Sequence, residues 1–361
     1  MIMIDSRSDR LRLISAAMLV AAIVGAPRLA RADDVSLIPG STVKQAIGGR
    51  VRGNVTSESP TEVVVALGSG PVSVPTDQIV SIRYDGQSAN FQLGESREAT
   101  GQLAEAVELY RKAAMADTAS RPFPHQAALF REASVLGDLA MIEPDRTKEA
   151  REKLNQFIRL YPASRHIGPA REALARLQIN TGDFAGAEAN IATLARMPRG
   201  GERSAVLRTK LLAQQGKHQE AIAEMDRLIA SSPKGSERQR AARLAKAESL
   251  AAIKKYKEAE TLVRDVIQEN PAEDAASQAP AYNTLGDCLR AANRPKDAVI
   301  AYLHTDMLYS KDKEEHPRAL HGITASFRQL KQDARADEYA QRLKQEYPRS
   351  VWTRTPTSTA Q

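Results

Sequence analysis

The sequence is poor in the residues that carry most protein chemistry. Cys288 is the only cysteine, so no intramolecular disulfide can form and no multi-thiolate metal site exists. Its setting, TLGDCLRAA, has no cationic cluster to activate a thiol and reads as a small residue within a helix. Residues 33–90 hold neither cysteine nor histidine, which removes the usual nucleophile–base pairs from that stretch. Gly-x-Ser-x-Gly, the phosphate-binding P-loop and His-Glu-x-x-His are all missing. The glycines of GGRVRG precede no helix, so they serve turns rather than a phosphate. Aromatic residues make up only 4% of the chain. A transmembrane-length apolar run is also lacking near the start, since the uncharged run Leu13–Ala26 falls short of the roughly 20 residues that cross a bilayer as a helix.

That short run has a basic stretch before it (Arg7, Arg10, Arg12) and a small-x-small site after it, with Ala30 and Ala32. This is the pattern of a secretory signal peptide over residues 1–32, with cleavage expected after Ala32 and export to the periplasm or beyond. No stable membrane span is expected after cleavage. The leader carries +3 of the chain's net +7, leaving +4 over 329 residues, too little to imply nucleic acid.

From Asp33 to Gly86 the residues alternate with a period of two. GGRVRGNV, TEVVVAL, PVSV and QIVSIRY are separated by SESP, GSG and PTD, which predicts four or five short strands joined by tight turns. The order of these segments resembles the small SH3-like and Sm-like barrels at the front of some exported bacterial proteins. That resemblance implies a barrel-like module over 33–86 that contacts a peptide or the envelope.

Beyond Asn90 the period becomes helical, in the vocabulary of Ala, Leu, Glu, Lys and Arg. Seven alanines, Ala106, Ala150, Ala187, Ala221, Ala259, Ala298 and Ala336, recur at steps of 34 to 44 residues. Pro162, Pro233, Pro271 and Pro348 each follow one of them by twelve positions. Gly94 and Gly286 each precede one by twelve. A small residue lets two antiparallel helices approach, and proline ends the second of them. The phrase LYPAS near Tyr161 and EYPRS near Tyr347 is this helix ending, written in two units. Tyr282, Leu285, Gly286, Leu289, Ala298 and Tyr302 make the sixth unit the clearest. The pattern resembles the tetratricopeptide repeat, whose usual period is 34. It departs where Thr209 and Ala247 replace the glycine, where steps exceed 34 through lengthened turns, and in the second unit, where Pro144 lies in an expected long inter-helix loop. The Tyr-Pro-x-Ser endings are similar to those of exported envelope proteins such as outer-membrane assembly lipoproteins and the Tol–Pal coordinator.

The resemblance implies a mainly α fold: a right-handed solenoid of about seven helix pairs over 87–352, after the β module and before a disordered tail at 353–361. Its concave face, lined by first helices, would bind a partner protein or peptide. The positions that carry over to that groove are Glu172, Arg176, Asn180, Arg203, Lys210, Gln214, Glu248, Asn283, Asp287 and Arg290. No catalytic set, cofactor or metal site is expected. His316 and His321, with Glu314 and Glu315, read as solvated residues between repeats, and Lys234–Lys246 reads as a mixed-charge solvated face. Tyr110, Tyr256, Tyr302 and Phe157 read as knobs between helices. The expected function is a non-enzymatic interaction scaffold or adaptor of the cell envelope. The alternative is an accessory subunit of an envelope enzyme complex whose β module contacts peptidoglycan or a stem peptide.

Overall fold

A computed structural model describes residues 32–116, 122–198, 200–348 and 350–357. The expected leader lies outside them up to residue 31. No helix among the described residues is long and apolar enough to cross a membrane. The chain divides into two compact units. The first holds the residues up to Gln87 apart from Ser59–Thr61, and the second holds those three and Ser88 onward.

The first unit is an antiparallel sheet of five strands: β1 (Asp33–Leu37), β2 (Arg50–Glu58), β3 (Glu62–Leu67), β4 (Gly70–Pro75) and β5 (Ile79–Arg83), in the order β4-β3-β2-β1-β5. The alternation read from the sequence puts Val63, Val65, Val72 and Val74 inside. β1 was not legible as a strand, because it is short and opens on two aspartates. It nonetheless lies between β2 and β5, pairing Val35 with both Val51 and Ile82. Asp33 is buried at its start, and its carboxylate accepts from the backbone amides of Val55 at 2.7 Å and Asp85 at 2.8 Å. An acid that would be costly to bury is therefore hydrogen-bonded at both oxygens.

The second unit consists of helix pairs: α1 (Ala89–Ala99) with α2 (Leu103–Ala116), α3 (Pro122–Ile142) with α4 (Thr147–Leu160), α5 (Ile167–Asn180) with α6 (Phe184–Arg196), α7 (Gly200–Gln214) with α8 (His218–Ser231), α9 (Glu237–Ala252) with α10 (Tyr256–Glu269), α11 (Ala275–Ala291) with α12 (Pro295–Leu308), and α13 (Glu315–Gln329) with α14 (Asp333–Glu346). A short α15 (Val351–Arg354) follows. All seven repeating alanines lie on second helices and have no exposed surface. α4, α8, α10 and α14 each stop two residues before the proline that the spacing picked out.

The two glycines of the pattern have a direct steric reason. A Cβ on Gly286 would sit 2.5 Å from the ring of Tyr302, and one on Gly94 would sit 2.9 Å from Tyr110. Both tyrosines are fully buried, as the knob reading expects, and each hydroxyl donates to a carboxylate, Asp287 at 2.6 Å and Glu98 at 2.8 Å. Phe157 is buried as well, and Tyr256 packs at the edge of the core.

Three local expectations are corrected. The second unit has no long inter-helix loop: Pro144–Arg146 forms one 3₁₀ turn, and the extra length lies in α3, which runs 21 residues. The last helical turn reaches Arg354, two residues into the expected tail, because the Ser350 hydroxyl caps it by accepting from the Trp352 amide at 3.2 Å. His316 is buried rather than solvated, with Nε2 2.8 Å from Asp306 and Nδ1 2.7 Å from the Tyr347 hydroxyl. The tyrosine of the second Tyr-Pro ending thus holds the start of the same unit's first helix.

Candidate functional site: the concave groove

First helices present their non-core faces side by side, and a groove of about 720 Å³ runs across α3, α5, α7 and α9, with α8 at its floor. Its lining is mostly apolar, including Met141, Ile179, Val206, Ala241 and Ala245. The groove exists where the stack parts. The first helices α3 and α5, α5 and α7, α9 and α11, and α11 and α13 pack closely, whereas α7 and α9 do not. The core divides at the same place, into one cluster from Ala175 to Leu211 and another from Leu244 to Ala336. α1 and α3 also stand apart, but there Arg131 fills the space, lying over the Tyr110 ring and bonded to Glu98. An ion pair from Arg238 to Glu202 spans α9 and α7 near their starts.

Five of the ten positions expected in the groove line this cavity: Arg176, Asn180, Lys210, Gln214 and Glu248. Arg176 is paired with Asp138 at 3.1 Å. Lys210 is exposed and makes no ion pair among the described residues. Glu172 and Arg203 pair with each other at 3.3 Å, so their charges cancel across α5 and α7. Asn283 is fully buried and cannot meet a partner. Its Nδ2 donates to the Glu315 carbonyl at 2.9 Å and carboxylate at 2.7 Å, which makes it a tie between α11 and α13. Arg290 lies against the Tyr302 hydroxyl.

Asp287 and Glu248 meet on a residue that sequence reading did not single out. One Nη of Arg318 donates to Glu248 at 2.8 Å and to Asp287 at 2.7 Å, while Glu315 stands 3.5 Å from the other. Three carboxylates therefore share one guanidinium. Burial pulls the Arg318 pKa down, but Asp287, Glu248 and Glu315 together push it up beyond the ordinary arginine value. Glu248 goes the other way from a typical paired acid: desolvation in the concavity raises its pKa, the Arg318 charge opposes this, and Asp287 and Glu315 add to the rise. The chemistry available here is ion pairing and apolar contact.

Lys234–Lys246 is not a plain solvated face: Lys246 pairs with Asp226 at 2.6 Å and the largely covered Arg243 pairs with Glu269, tying α9 to its neighbours.

Models of the tetratricopeptide repeat match residues 87–119, 172–236, 210–274 and 318–350. Among solved structures, a tetratricopeptide repeat protein from Parabacteroides merdae superimposes with a TM-score of 0.51 at 16% identity, covering 71% of this chain and 91% of that one. A Rap protein complexed with Competence and Sporulation Factor gives 0.48 at 12% identity, covering 73% and 76%. PilW, a type IV pilus biogenesis factor, gives 0.41 at 17% identity, covering 62% and 96%. At 16% identity the likeness to the Parabacteroides merdae protein is one of fold. No curated protein matches the chain. The matched segments, at the start, middle and end of the helical unit, are tetratricopeptide repeats, and the helix pairs between them continue the same TPR-like stack.

Proposed function

We propose that this chain is a non-enzymatic scaffold or adaptor of the cell envelope, exported by its leader and holding a partner protein or peptide along the concave face of its solenoid. The observation that carries the reading is the open, mostly apolar groove across four first helices. A concave, mostly apolar cleft with a few polar groups at its edge is the usual form of a binding site. Ion-pairing groups around an apolar floor suit many shallow contacts along an extended ligand. The β unit, read as an SH3-like or Sm-like module, supplies a second contact to the envelope.

A photo-crosslinking residue at Lys210, compared with one at Arg227 on α8, tests this in intact cells. Arg227 is largely exposed and does not line the groove. A partner captured from position 210 but not from 227, on protein whose mass spectrum begins at Asp33, supports the proposal. Equal or no capture from the two positions, or protein retained in the cytoplasm with its leader intact, overturns it.

A further inference from the structure

We infer that the cleft between α7 and α9 is the anchor pocket of the groove, and that its occupant is a linear segment of a partner protein bearing a large apolar residue beside a lysine or arginine. The inference rests on the peptide-binding reading above and adds the chemistry of the ligand. Between α7 and α9 the first helices fail to cover each other, and the walls carry small side chains, Val206 on one side and Ala241 and Ala245 on the other. Met225 and Leu228 form the floor. Small walls over an apolar floor leave room for a bulky apolar side chain, with the polar groups of the lining, such as Lys210 and Glu248, around it.

The charge at the edge of the cleft sets what lies beside the anchor. Glu248 borders the groove with about half its side chain exposed. One of its oxygens takes Arg318, and the other accepts no hydrogen bond from the described residues. With Asp287 it also flanks a second cavity of about 230 Å³, walled by Ala251, Ala252 and Ala291. Three carboxylates, Glu248, Asp287 and Glu315, face the Arg318 guanidinium, and with Arg290 beside Tyr302 as the next cation the cluster is still one positive charge short. A lysine or arginine from the partner fits both requirements. Its aliphatic stem lies along the alanine wall, and its charged head forms hydrogen bonds to the carboxylates. Across the cleft, Lys210 repels a second basic group, which fixes the order of charges along the ligand.

A phage-displayed library of random dodecapeptides, selected on the full chain, tests the inference. The expected peptides share one large apolar residue with Lys or Arg close to it. Ala241 is exposed, so Ala241→Trp fills the cleft without disturbing the core, and it lowers the affinity of a selected peptide by about tenfold or more. Glu248→Gln keeps the side-chain shape, leaves the apolar preference in a repeated selection and removes the basic one. Peptides with an acidic or uncharged consensus, or affinities unmoved by both substitutions, overturn the inference while leaving the concave face as a peptide-binding surface. Concentration-dependent self-association abolished by Ala241→Trp assigns the cleft to a second copy and likewise overturns it. Failure to select any peptide overturns the peptide-binding reading itself.

Discussion

At the residue scale, the turn between the two helices of a unit repeats one backbone with changing side chains. Gly101, Gly182 and Gly216 occupy it with φ of 74°, 76° and 73°, and Lys254, Asn293 and Lys331 occupy the same place with 66°, 60° and 56°. The following amide reaches back across the helix end each time, Gln102 to Arg97 at 2.8 Å, Lys255 to Leu250 at 2.8 Å and Gln332 to Phe327 at 2.9 Å. Such a helix stop needs one left-handed residue, which glycine supplies freely, asparagine supplies at small cost and lysine supplies only against the clash of its Cβ. Lys254→Gly and Lys331→Gly are therefore expected to stabilise the chain by about 0.5–1 kcal/mol each, the relief of that clash exceeding the added freedom of the unfolded chain. Asn293→Gly is expected to gain less. Urea unfolding followed by circular dichroism reads the effect as a higher midpoint at constant slope. An unchanged or lower midpoint for both lysine variants would show that the left-handed lysines are not strained.

At the element scale, stability in a stack is a sum of unit and neighbour terms, so a missing contact between successive first helices marks a weak joint. α7 and α9 part where the core divides. By contrast α11 and α13 sit in a cluster built around Tyr302, with Asn283 and Arg318 bonded across it. Amide hydrogen exchange should accordingly be faster in α7 and α8 than in α11 to α13 by one or more orders of magnitude. Uniform protection along the unit would remove the joint. The helix pairs and several of their ends were legible in the sequence because a small residue at each crossing and a proline just past a helix exit, present at four of the seven, are local requirements. The parting of α7 from α9 was not legible, since Val206, Ala241 and Ala245 are ordinary helix residues whose exposure depends on how two units dock. Arg318 escaped for a related reason: Asp287 lies 31 residues from it and Glu248 lies 70, and no helical period joins such positions. Asn283 shows the converse, because a polar residue on a first helix can equally face a groove or tie two helices together.

At the scale of the helical unit, the winding of the repeats brings distant parts of the chain into contact. Lys313, before α13, donates to the carbonyl of Thr100 after α1 at 3.3 Å, and Arg354 in α15 donates to the carbonyl of Ile142 at the end of α3 at 3.0 Å. Each bond links residues more than two hundred positions apart, in the seventh unit or just beyond it and in the first two. Trp352 lies 5.2 Å from the ring of His321 on α13, which fixes α15 against the last first helix. A solenoid whose late units touch its early ones has a groove of set curvature, whereas an unjoined one opens and closes like a spring. Spin labels placed through Gln102→Cys and Lys311→Cys distinguish the two states, since both residues are exposed and flank the Thr100–Lys313 contact. The native thiol does not compete for label: Cys288 is buried, and that burial pushes its pKa up to about 12. The joined solenoid gives one narrow, short distance distribution by pulsed electron resonance, and Lys313→Ala combined with Arg354→Ala broadens it. A broad distribution in the parent protein would mean that the early and late units are not held together in solution. The curvature of the groove would then be set by the packing of each helix pair on the next.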